Sequence, residues 1–356
     1  MHEQYMRRCL ELAQRASGHT SPNPMVGAVL VHEGRIIGEG WHEQYGDAHA
    51  EVNCFDHVAA ADRHLVPHST MYVSLEPCAH YGKTPPCALR IVQEGVQEVY
   101  IAHADPFDMV QGAGIGILRE AGITVHMGYL EQEAAWQNRR FFCFHERQRP
   151  YIILKWAQSA EGYMAPADRS RVQLSNAFSQ AMVHQWRTEE AAIMVGYRTA
   201  LHDNPQLTAR NYRGKQPLRI ALDRNLGLPL SHHLLDGAVP TWIIHETGDK
   251  KDLPGVQMIQ LPFDELLLPH ILQLLYQQQQ LSLIVEGGAA LLQSFISQGL
   301  WDEARIFKTP VTLTEGIPAP VLTHTSPGFA TGLQEDILEL RINNSSNYLY
   351  PEGMPL

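Results

Sequence analysis

The chain has little positive charge, few cysteines and no long apolar run, and each shortage excludes a class of protein. Its 27 Lys and Arg residues are outnumbered by 38 Asp and Glu residues, giving a net charge of −11, which argues against a general nucleic-acid-binding surface. The chain has only five cysteines and no charged and then apolar leader after Met1, so we expect a reducing, cytoplasmic location. No apolar run reaches the roughly 18 residues that a membrane span needs, and we expect a soluble protein.

The length of the chain predicts two domains, because 356 residues exceed what one hydrophobic core usually serves. Strand and helix patterns alternate through the first part of the sequence. The charged segment 145–150 ends in Pro150, and apolar strand patterning resumes at Tyr151. We therefore predict a first domain over 1–146 and a second domain over 150–356, each a layered α/β fold.

Hydrophobic periodicity predicts the individual elements. In the first half the predicted strands are 26–31, 35–40, 71–75, 99–103 and 123–126, and the predicted helices are 3–16, one after His49, one after Cys87 and one through 117–120. In the second half the predicted strands begin at Tyr151 and lie near 191–195, 218–222, 241–245 and 281–285, with helices near 176–189, 264–278 and 289–298.

The most informative motif is His49-Ala50-Glu51 followed by Pro77-Cys78 and then Cys87. It supplies one imidazole, two thiolates and one carboxylate that is not needed as a ligand. Zinc held by three protein groups keeps a fourth position for water and lowers the pKa of that water to about 7. The set matches the H-x-E…P-C-x-x-C signature of nucleobase deaminases, in which the glutamate carries protons. Here the loop between the two cysteines is longer than the usual two residues.

Local sequence predicts how this motif is presented. Apolar spacing after His49 places that residue on the first turn of a helix, and Pro85-Pro86 favours a helix beginning near Cys87. Thiolates near helix N-termini are stabilised by the helix dipole. An alternative is a structural zinc site that His80 closes as a fourth ligand. The remaining cysteines have no partner spacing and are interpreted as buried small hydrophobes: Cys9, Cys54 and Cys143.

Together with the segment 22–27, this motif resembles the deaminase half of the bifunctional deaminase and reductase family of riboflavin biosynthesis. The second half resembles the reductase half of that family through an ordered set of residues, namely Lys155, Ser159, Gly162, Val195, Gly196, Thr199, Asp203, Pro205, Leu207, Thr208, Arg210 and 285–288. The resemblance covers nearly the whole chain. It implies a cytidine-deaminase-like three-layer α/β/α domain followed by a dihydrofolate-reductase-like α/β domain.

The resemblance implies two reactions on one phosphorylated pyrimidine. The first domain is expected to hydrolyse the 2-amine of 2,5-diamino-6-ribosylamino-4(3H)-pyrimidinone 5′-phosphate. The second is expected to reduce the ribosyl group of the product to ribityl with NADPH. One Zn²⁺ per chain and NADPH are the implied cofactors, a homo-oligomer is the implied assembly, and no nucleic acid or membrane partner is expected.

The resemblance also implies roles for particular residues. His49, Cys78 and Cys87 are expected to bind zinc, and Glu51 and Lys155 are expected to be catalytic. Substrate contacts are expected from Asn23, His42, His80, Lys83, Thr84, Arg187, Leu207, Arg210 and Glu286. Cofactor contacts are expected from Gln158, Gln173, Thr199, Asp203, Arg224, Gly287 and Gly288. Without the family, Asn23 reads as a turn residue and the segment 203–205 as a turn.

Four departures from the family pattern bear on the expected sites. Asp105-Pro106-Phe107-Asp108 lacks an amide expected near the deaminase pocket, and Ser159-Ala160-Glu161-Gly162 carries Glu161 in place of aspartate. The segment 171–175 lacks an indole expected near the cofactor. Arg224 stands where a serine is expected and either replaces its contacts to the NADPH 2′-phosphate or obstructs the site.

Two other functions remain open on the sequence. One is a deaminase whose second domain has lost hydride transfer and serves binding or assembly. The other is a non-catalytic zinc module in which four protein ligands close the metal site. We favour a working reductase because Lys155, Arg187, Thr199, Asp203, Arg210 and Glu286 are all present.

Overall fold

The computed structural model describes residues 2–81, 85–107, 111–249 and 252–354. The chain divides into two compact units, Met1–Arg147 together with Gly353–Leu356, and Gln148–Glu352. Within the described ranges, no helix is both long enough and apolar enough to cross a membrane.

The first unit contains five strands and six α-helices among its described residues. In chain order they are α1 (His2–Gln14), β1 (Gly27–His32), β2 (Arg35–Trp41), α2 (Ala50–Asp56), β3 (Thr70–Leu75), α3 (Cys87–Gln93), β4 (Glu98–His103), α4 (Ala113–Glu120), β5 (Thr124–Met127), α5 (Glu131–Gln137) and α6 (Arg139–Arg147). The sheet order is β2-β1-β3-β4-β5. Strand β1 is antiparallel to β2 and β3, whereas β3, β4 and β5 run parallel.

Alternating side chains give the first sheet two apolar faces, because successive residues of a strand point to opposite sides. Leu30, Val73 and Ile101 pack in one core with residues of α2, α3 and α4. Their neighbours Val29 and Tyr72 pack in a second core with residues of α1 and α5. The first unit is therefore the three-layer α/β/α domain that the family resemblance implies.

The second unit is built on a nine-stranded sheet. In chain order its elements are β6 (Tyr151–Gln158), β7 (Tyr163–Pro166), α7 (Ala177–Glu189), β8 (Ala192–Val195), α8 (Tyr197–Asp203), β9 (Leu218–Leu222), β10 (Thr241–His245), β11 (Val256–Gln260), α9 (Leu267–Gln277), β12 (Ser282–Glu286), α10 (Ala289–Ser297), β13 (Glu303–Lys308), β14 (Gly316–Pro318), β15 (Thr325–Leu333) and β16 (Asp336–Asn343). The sheet order is β11-β10-β9-β8-β12-β6-β13-β16-β15, and β14 pairs with β7 separately.

Helices cover both faces of the second sheet. Ile306 belongs to the large core that includes residues of α9 and α10. On the other face, Phe307 stacks on Trp186 of α7 with ring centroids 5.6 Å apart. Neighbouring strands are parallel along the sheet order from β11 through β10, β9, β8, β12 and β6 to β13. Strand β16 is antiparallel to both of its neighbours, β13 and β15. The carboxyl ends of β6, β8 and β12 consequently meet at one edge, which is where open α/β sheets bind ligands.

Candidate functional site

Three potential metal ligands from separate segments converge in the first unit. The Nδ1 atom of His49 lies 3.5 Å from Cys78 Sγ and 3.3 Å from Cys87 Sγ, and all three ligand atoms lie within 4.8 Å of one another. Tetrahedral zinc with ordinary Zn–S and Zn–N bonds places such nitrogen and sulfur atoms about 3.5 Å apart. One imidazole and two thiolates at these separations therefore fit zinc and leave one coordination position for water.

His49 is the N-cap of α2 and not a residue of its first turn, which corrects the sequence prediction. Its φ of −73° and ψ of 163° are extended, while its carbonyl already accepts the helical hydrogen bond from Asn53 N at 3.1 Å. Helix α2 lies directly against β2 because Gly40 has no side chain. A Cβ at Gly40 would lie 2.3 Å from Cys54 N, so any other residue here would push α2 away from β2.

The two cysteines approach each other at the start of α3. Cys87 is the first residue of that helix, and its N–H donates to Cys78 Sγ at 3.3 Å. Cys78 itself lies in the loop after β3. The hydrogen bond from the Cys87 thiol, with a further one from His49, lowers the pKa of Cys78 to about 4. Among the described residues, the ligand cluster does not include His80, which is exposed, so the alternative of a four-ligand site closed by His80 is not formed.

Glu51 is a buried carboxylate beside this cluster. Its side chain belongs to the first turn of α2 and only 3% of the residue is exposed. Burial raises the pKa of Glu51 to about 7. Glu51 does not belong to the group of possible metal ligands in the described chain, so the carboxylate is left to exchange protons.

Asn23 and His42 form a pair next to the same cluster. The Nδ2 atom of Asn23 lies 3.1 Å from His42 Nε2, and His42 Nδ1 lies 3.0 Å from the carbonyl oxygen of Ala48. The carbonyl can only accept, so His42 Nδ1 donates and Nε2 accepts the amide hydrogen of Asn23. The rings of His42 and His49 meet edge to face, with centroids 5.4 Å apart. Two further predicted substrate residues, Lys83 and Thr84, belong to the segment between Cys78 and Cys87 and lie outside the described residues.

Glu76 shapes this region and was not predicted from the sequence. Its carboxylate is buried and accepts four backbone N–H groups, those of Asp105, Gly112, Gly114 and Ile115, at 3.0–3.2 Å. It therefore ties the end of β3 to the start of α4 and to the loop that begins at Asp105. The only sequence signal is an acidic residue placed directly before Pro77-Cys78.

In the second unit, one cleft of about 770 Å³ collects most of the predicted reductase residues. Those that line it are Lys155, Gln173, Arg187, Thr199, Asp203, Leu207, Glu286, Gly287 and Gly288. They come from β6 and the end of β12, from α7 and α8, and from the segments before α7, after α8 and after β12. The convergence follows from the parallel sheet, whose carboxyl strand ends face one edge.

Arg187, Glu286 and Lys155 form a buried charge network in this cleft. Arg187 Nε and Nη2 donate to the two oxygens of Glu286 at 2.9 and 2.7 Å, and Lys155 Nζ lies 3.9 Å from Glu286 Oε2. Burial opposes ionisation of Glu286, but the charges of Arg187 and Lys155 prevail and lower its pKa to about 2. Burial lowers the pKa of Lys155, and the charge of Glu286 opposes that change.

Two glycines directly after β12 bring their backbone close to Thr199 in this cleft. Gly287 and Gly288 have φ values of 86° and 80°, which favour glycine. A Cβ at either position would lie 3.3 Å from a side-chain atom of Thr199. The cleft lining therefore combines the partly buried backbone of two glycines with a threonine hydroxyl.

Three predicted reductase residues do not line the cleft. Gln158 accepts a hydrogen bond from Trp156 Nε1 at 2.9 Å. Arg224 pairs with Glu246 at 2.5 Å, although its guanidinium also lies 5.9 Å from the ring centroid of Phe263, a cleft residue. Arg210 is exposed after α8. Residues that line the cleft and were not predicted include Arg169, Arg171, Tyr197, Arg198 and Phe263; the two arginines in the segment 169–171 were a visible signal.

Comparison with known protein families finds a match for each half of the chain. The family model described as "Cytidine and deoxycytidylate deaminase zinc-binding region" matches residues 1–103, and the model described as "RibD C-terminal domain" matches residues 150–344. The chain is 40% identical over 330 residues to riboflavin biosynthesis protein RibD of Bacillus amyloliquefaciens, covering 90% of this chain and 88% of that protein. It is 39% identical over 319 residues to RibD of Aquifex aeolicus, covering 88% of each.

Solved structures that contain both domains are also similar to this chain. A diaminohydroxyphosphoribosylaminopyrimidine deaminase/5-amino-6-(5-phosphoribosylamino)uracil reductase from Thermotoga maritima aligns with a TM-score of 0.89 at 29% identity, covering 96% of this chain and 98% of that one. RibD of Acinetobacter baumannii aligns with a TM-score of 0.86 at 32% identity and the same coverage.

Proposed function

Because this chain belongs to the RibD family of bifunctional deaminase and reductase enzymes of riboflavin biosynthesis, we propose which of its residues perform each reaction and on which substrates. The deaminase substrate is 2,5-diamino-6-ribosylamino-4(3H)-pyrimidinone 5′-phosphate, and its deaminated product is the substrate of the NADPH-dependent reductase. The residues 1–146 carry the first reaction and 150–356 the second. The Thermotoga maritima relative, whose name states both activities, supports this assignment.

The deaminase proposal depends mainly on the separation of His49 Nδ1 from the two cysteine sulfurs, 3.5 and 3.3 Å. His49, Cys78 and Cys87 hold the zinc, which when bound supplies an activated water at neutral pH. Glu51, which lies beside the three ligands, transfers protons to the pyrimidine ring nitrogen and to the departing amine. Burial raises the pKa of Glu51 to about 7, so its carboxyl group is suited both to accept and to donate a proton at neutral pH.

Asn23 and His42 orient the pyrimidine in this proposal. The amide of Asn23 is held by His42 Nε2, so its carbonyl oxygen remains to accept a hydrogen bond from a ring edge. His42 is in turn fixed by the carbonyl of Ala48. His80, Lys83 and Thr84 are proposed as donors to the substrate from the loop between the two cysteines.

Glu51→Gln tests the deaminase assignment. We expect ammonia release to fall at least about a hundredfold, the usual contribution of a general acid and base, while metal analysis still finds one zinc per chain. Glu43→Gln, an exposed residue of the same unit, is the matched control and should retain activity. Loss of zinc in Glu51→Gln would make Glu51 a ligand, and unchanged ammonia release would rule out its proton-transfer role.

For the reductase we propose that Lys155 is the proton donor when the ribosyl group is opened and reduced. NADPH supplies the hydride when bound. Lys155 has a pKa lowered by burial, so it can give up a proton more readily than a surface lysine. Glu286 holds the ammonium group in place at 3.9 Å. Thr199, Asp203, Gly287 and Gly288 are proposed to contact the cofactor, and Leu207 to contact the substrate.

Lys155→Met tests the reductase assignment against the alternative of a domain that binds without reducing. We expect NADPH oxidation with the deaminated substrate to fall at least about a hundredfold, with ammonia release unchanged. Lys308→Met is the control, since Lys308 is half exposed, pairs with Glu339 and does not line the cleft. Undiminished NADPH oxidation in Lys155→Met would contradict the proposal.

We further propose a cytoplasmic location, a homo-oligomeric assembly and no nucleic-acid partner. The location is supported by the two zinc thiols, which need a reducing environment. The acidic net charge supports the absence of a nucleic-acid partner. Size-exclusion chromatography with light scattering would contradict the oligomer by giving the mass of one chain.

A further inference from the structure

Asn138 is a buried side chain that holds both peptide groups of one residue distant in the sequence. Its Oδ1 accepts a hydrogen bond from Met25 N, and its Nδ2 donates to the carbonyl oxygen of Met25, each at 2.8 Å. The two residues are 113 positions apart, and Asn138 is only 3% exposed. A side-chain amide carries the same donor and acceptor as a peptide group, so Asn138 pairs with Met25 as a residue of a neighbouring strand would.

Met25 depends on this partner because it lies just outside the sheet. Strand β1 begins two residues later, at Gly27, and the carbonyl oxygen of Val26 already accepts a hydrogen bond from His42 N at 2.9 Å. Met25 is half-buried, and a peptide group removed from water without a partner is costly. Asn138 therefore completes the hydrogen bonding of the chain where the sheet has not yet begun.

Two helices fix the position of Asn138. Its N–H donates to the carbonyl oxygen of Ala134 in α5 at 3.1 Å, and its carbonyl oxygen accepts a hydrogen bond from Phe142 N in α6 at 3.0 Å. Asn138 is also the residue that separates the two helices. Because both helices hold its backbone, Asn138 is a rigid support for Met25.

Met25 ends the segment 20–25, which we call the Asn23 turn. Asn23 N donates to the carbonyl oxygen of Thr20 at 2.8 Å, and a proline stands on each side of Asn23. Proline restricts φ to about −65°, so the turn has few internal degrees of freedom and its orientation depends on where its end is held. The side-chain amide of Asn23 lies 3.1 Å from His42 Nε2, and this contact requires that orientation.

We propose that Asn138 is a positioning residue of the deaminase site: it holds Met25, and through the Asn23 turn it keeps the amide of Asn23 oriented toward the pyrimidine. The proposal rests on the proposed deaminase function, in which Asn23 contacts the ring. Both polar atoms of the Asn138 side chain are bonded to Met25, so Asn138 acts through the turn and not on the substrate directly.

Asn138→Leu, which removes both hydrogen bonds to Met25, is the first test. We expect kcat/KM for ammonia release to fall at least about tenfold, the scale of two lost hydrogen bonds, while metal analysis finds the wild-type zinc content. Asn138→Asp is the second variant, because it keeps the size and the acceptor of the side chain but turns an oxygen toward the carbonyl oxygen of Met25. It should lose at least as much activity, and it decides the question if the leucine variant does not fold.

Gln137→Leu is the matched control for both variants. Gln137 is the adjacent buried amide, 4% exposed, and its Nε2 donates to the carbonyl oxygen of Leu10 in α1 at 2.9 Å. Its replacement removes a similar buried side chain from the same helix junction without releasing the Asn23 turn, so kcat/KM should change less than about twofold. Wild-type kcat/KM in the Asn138 variants would overturn the proposal.

A double-mutant cycle with Asn23→Ala separates positioning from a general structural role. Asn23→Ala should itself lower kcat/KM, and adding Asn138→Leu should lower it by less than about a further twofold, because both changes remove the same contact. If the two losses multiply instead, Asn138 affects the site by a route that does not include Asn23, and the proposal is wrong.

Hydrogen exchange in the full, zinc-loaded chain gives a readout that needs no turnover. The peptide that covers the Asn23 turn should exchange at least about tenfold faster in Asn138→Leu and at the wild-type rate in Gln137→Leu. Wild-type exchange of this peptide in Asn138→Leu would show that Asn138 does not hold the turn.

Failure of the proposed function would look different. If the wild-type chain released no ammonia from the diaminopyrimidine, the deaminase assignment would fail. The exchange comparison would still decide whether Asn138 fixes the Asn23 turn, since it uses no substrate.

Discussion

Arg187 and Glu286 lie 99 residues apart in the sequence and form a two-point ion pair at 2.7 and 2.9 Å. The pair joins α7 to the end of β12, where both side chains are about nine-tenths buried. Lys155, at the matching position of the neighbouring strand β6, lies opposite the same carboxylate. One carboxylate is thus balanced by two cations from separate elements, which ties the geometry of the cleft to the packing of the sheet.

Arg187→Met should destabilise the second unit by about 3 kcal/mol, because it leaves Glu286 buried with only Lys155 nearby. Hydrogen exchange of the β12 peptide in the intact chain would measure the change. The double variant Arg187→Met/Glu286→Gln removes both charges and should recover most of the loss. A double variant no more stable than the single one would show that the cost arises from packing and not from the unpaired charge.

Glu286 should make the second unit sensitive to acid. Its pKa in the folded chain is about 2, below its ordinary value of 4.5, so its ionised form stabilises the fold above about pH 4.5 and this contribution is lost as the pH falls toward 2. The free energy of unfolding should therefore fall less steeply in Glu286→Gln over that interval, by up to about 1.4 kcal/mol per pH unit. Equal slopes in the two proteins would contradict this prediction.

Glu76→Gln should loosen the start of α4. The glutamine keeps one acceptor oxygen and turns an NH₂ group toward two of the backbone N–H groups that Glu76 now accepts. We expect a loss of about 2–3 kcal/mol, seen as faster hydrogen exchange in the α4 peptide. Glu120→Gln, at the exposed end of the same helix, is the control. Unchanged exchange in α4 would mean that Glu76 does not hold this helix.

Removal of zinc should separate the two reactions. Chelation, or Cys78→Ser, should abolish ammonia release because the three ligands share one metal position. NADPH oxidation with the deaminated substrate should persist, since the reductase cleft is lined entirely by residues of the second unit. Loss of both activities on chelation would show that the second unit needs the metal, either directly or for folding.

Much of the fold was predictable from periodicity alone. The strand predicted near 218–222 is Leu218–Leu222, and the helix predicted near 176–189 is Ala177–Glu189. Both belong to strongly patterned segments, where alternation or helical spacing is set by one buried face. The strands β15 and β16 were not predicted. The nine residues of β15, Thr325–Leu333, carry two glycines and a proline, so its strand conformation depends on pairing with β16.

The sequence by itself determined the composition of the two sites, because chemistry requires particular residue types: an imidazole with two thiols and a carboxylate in the first unit, and lysine, arginine and glutamate in the second. Only the tertiary structure decided how those groups meet. It places His49 before its helix rather than in it, commits Arg187 to Glu286, turns Arg224 toward Glu246 and leaves Arg171 in the cleft without a described partner. These outcomes depend on strand order and long-range packing, which bring together residues up to a hundred positions apart and which no local pattern encodes.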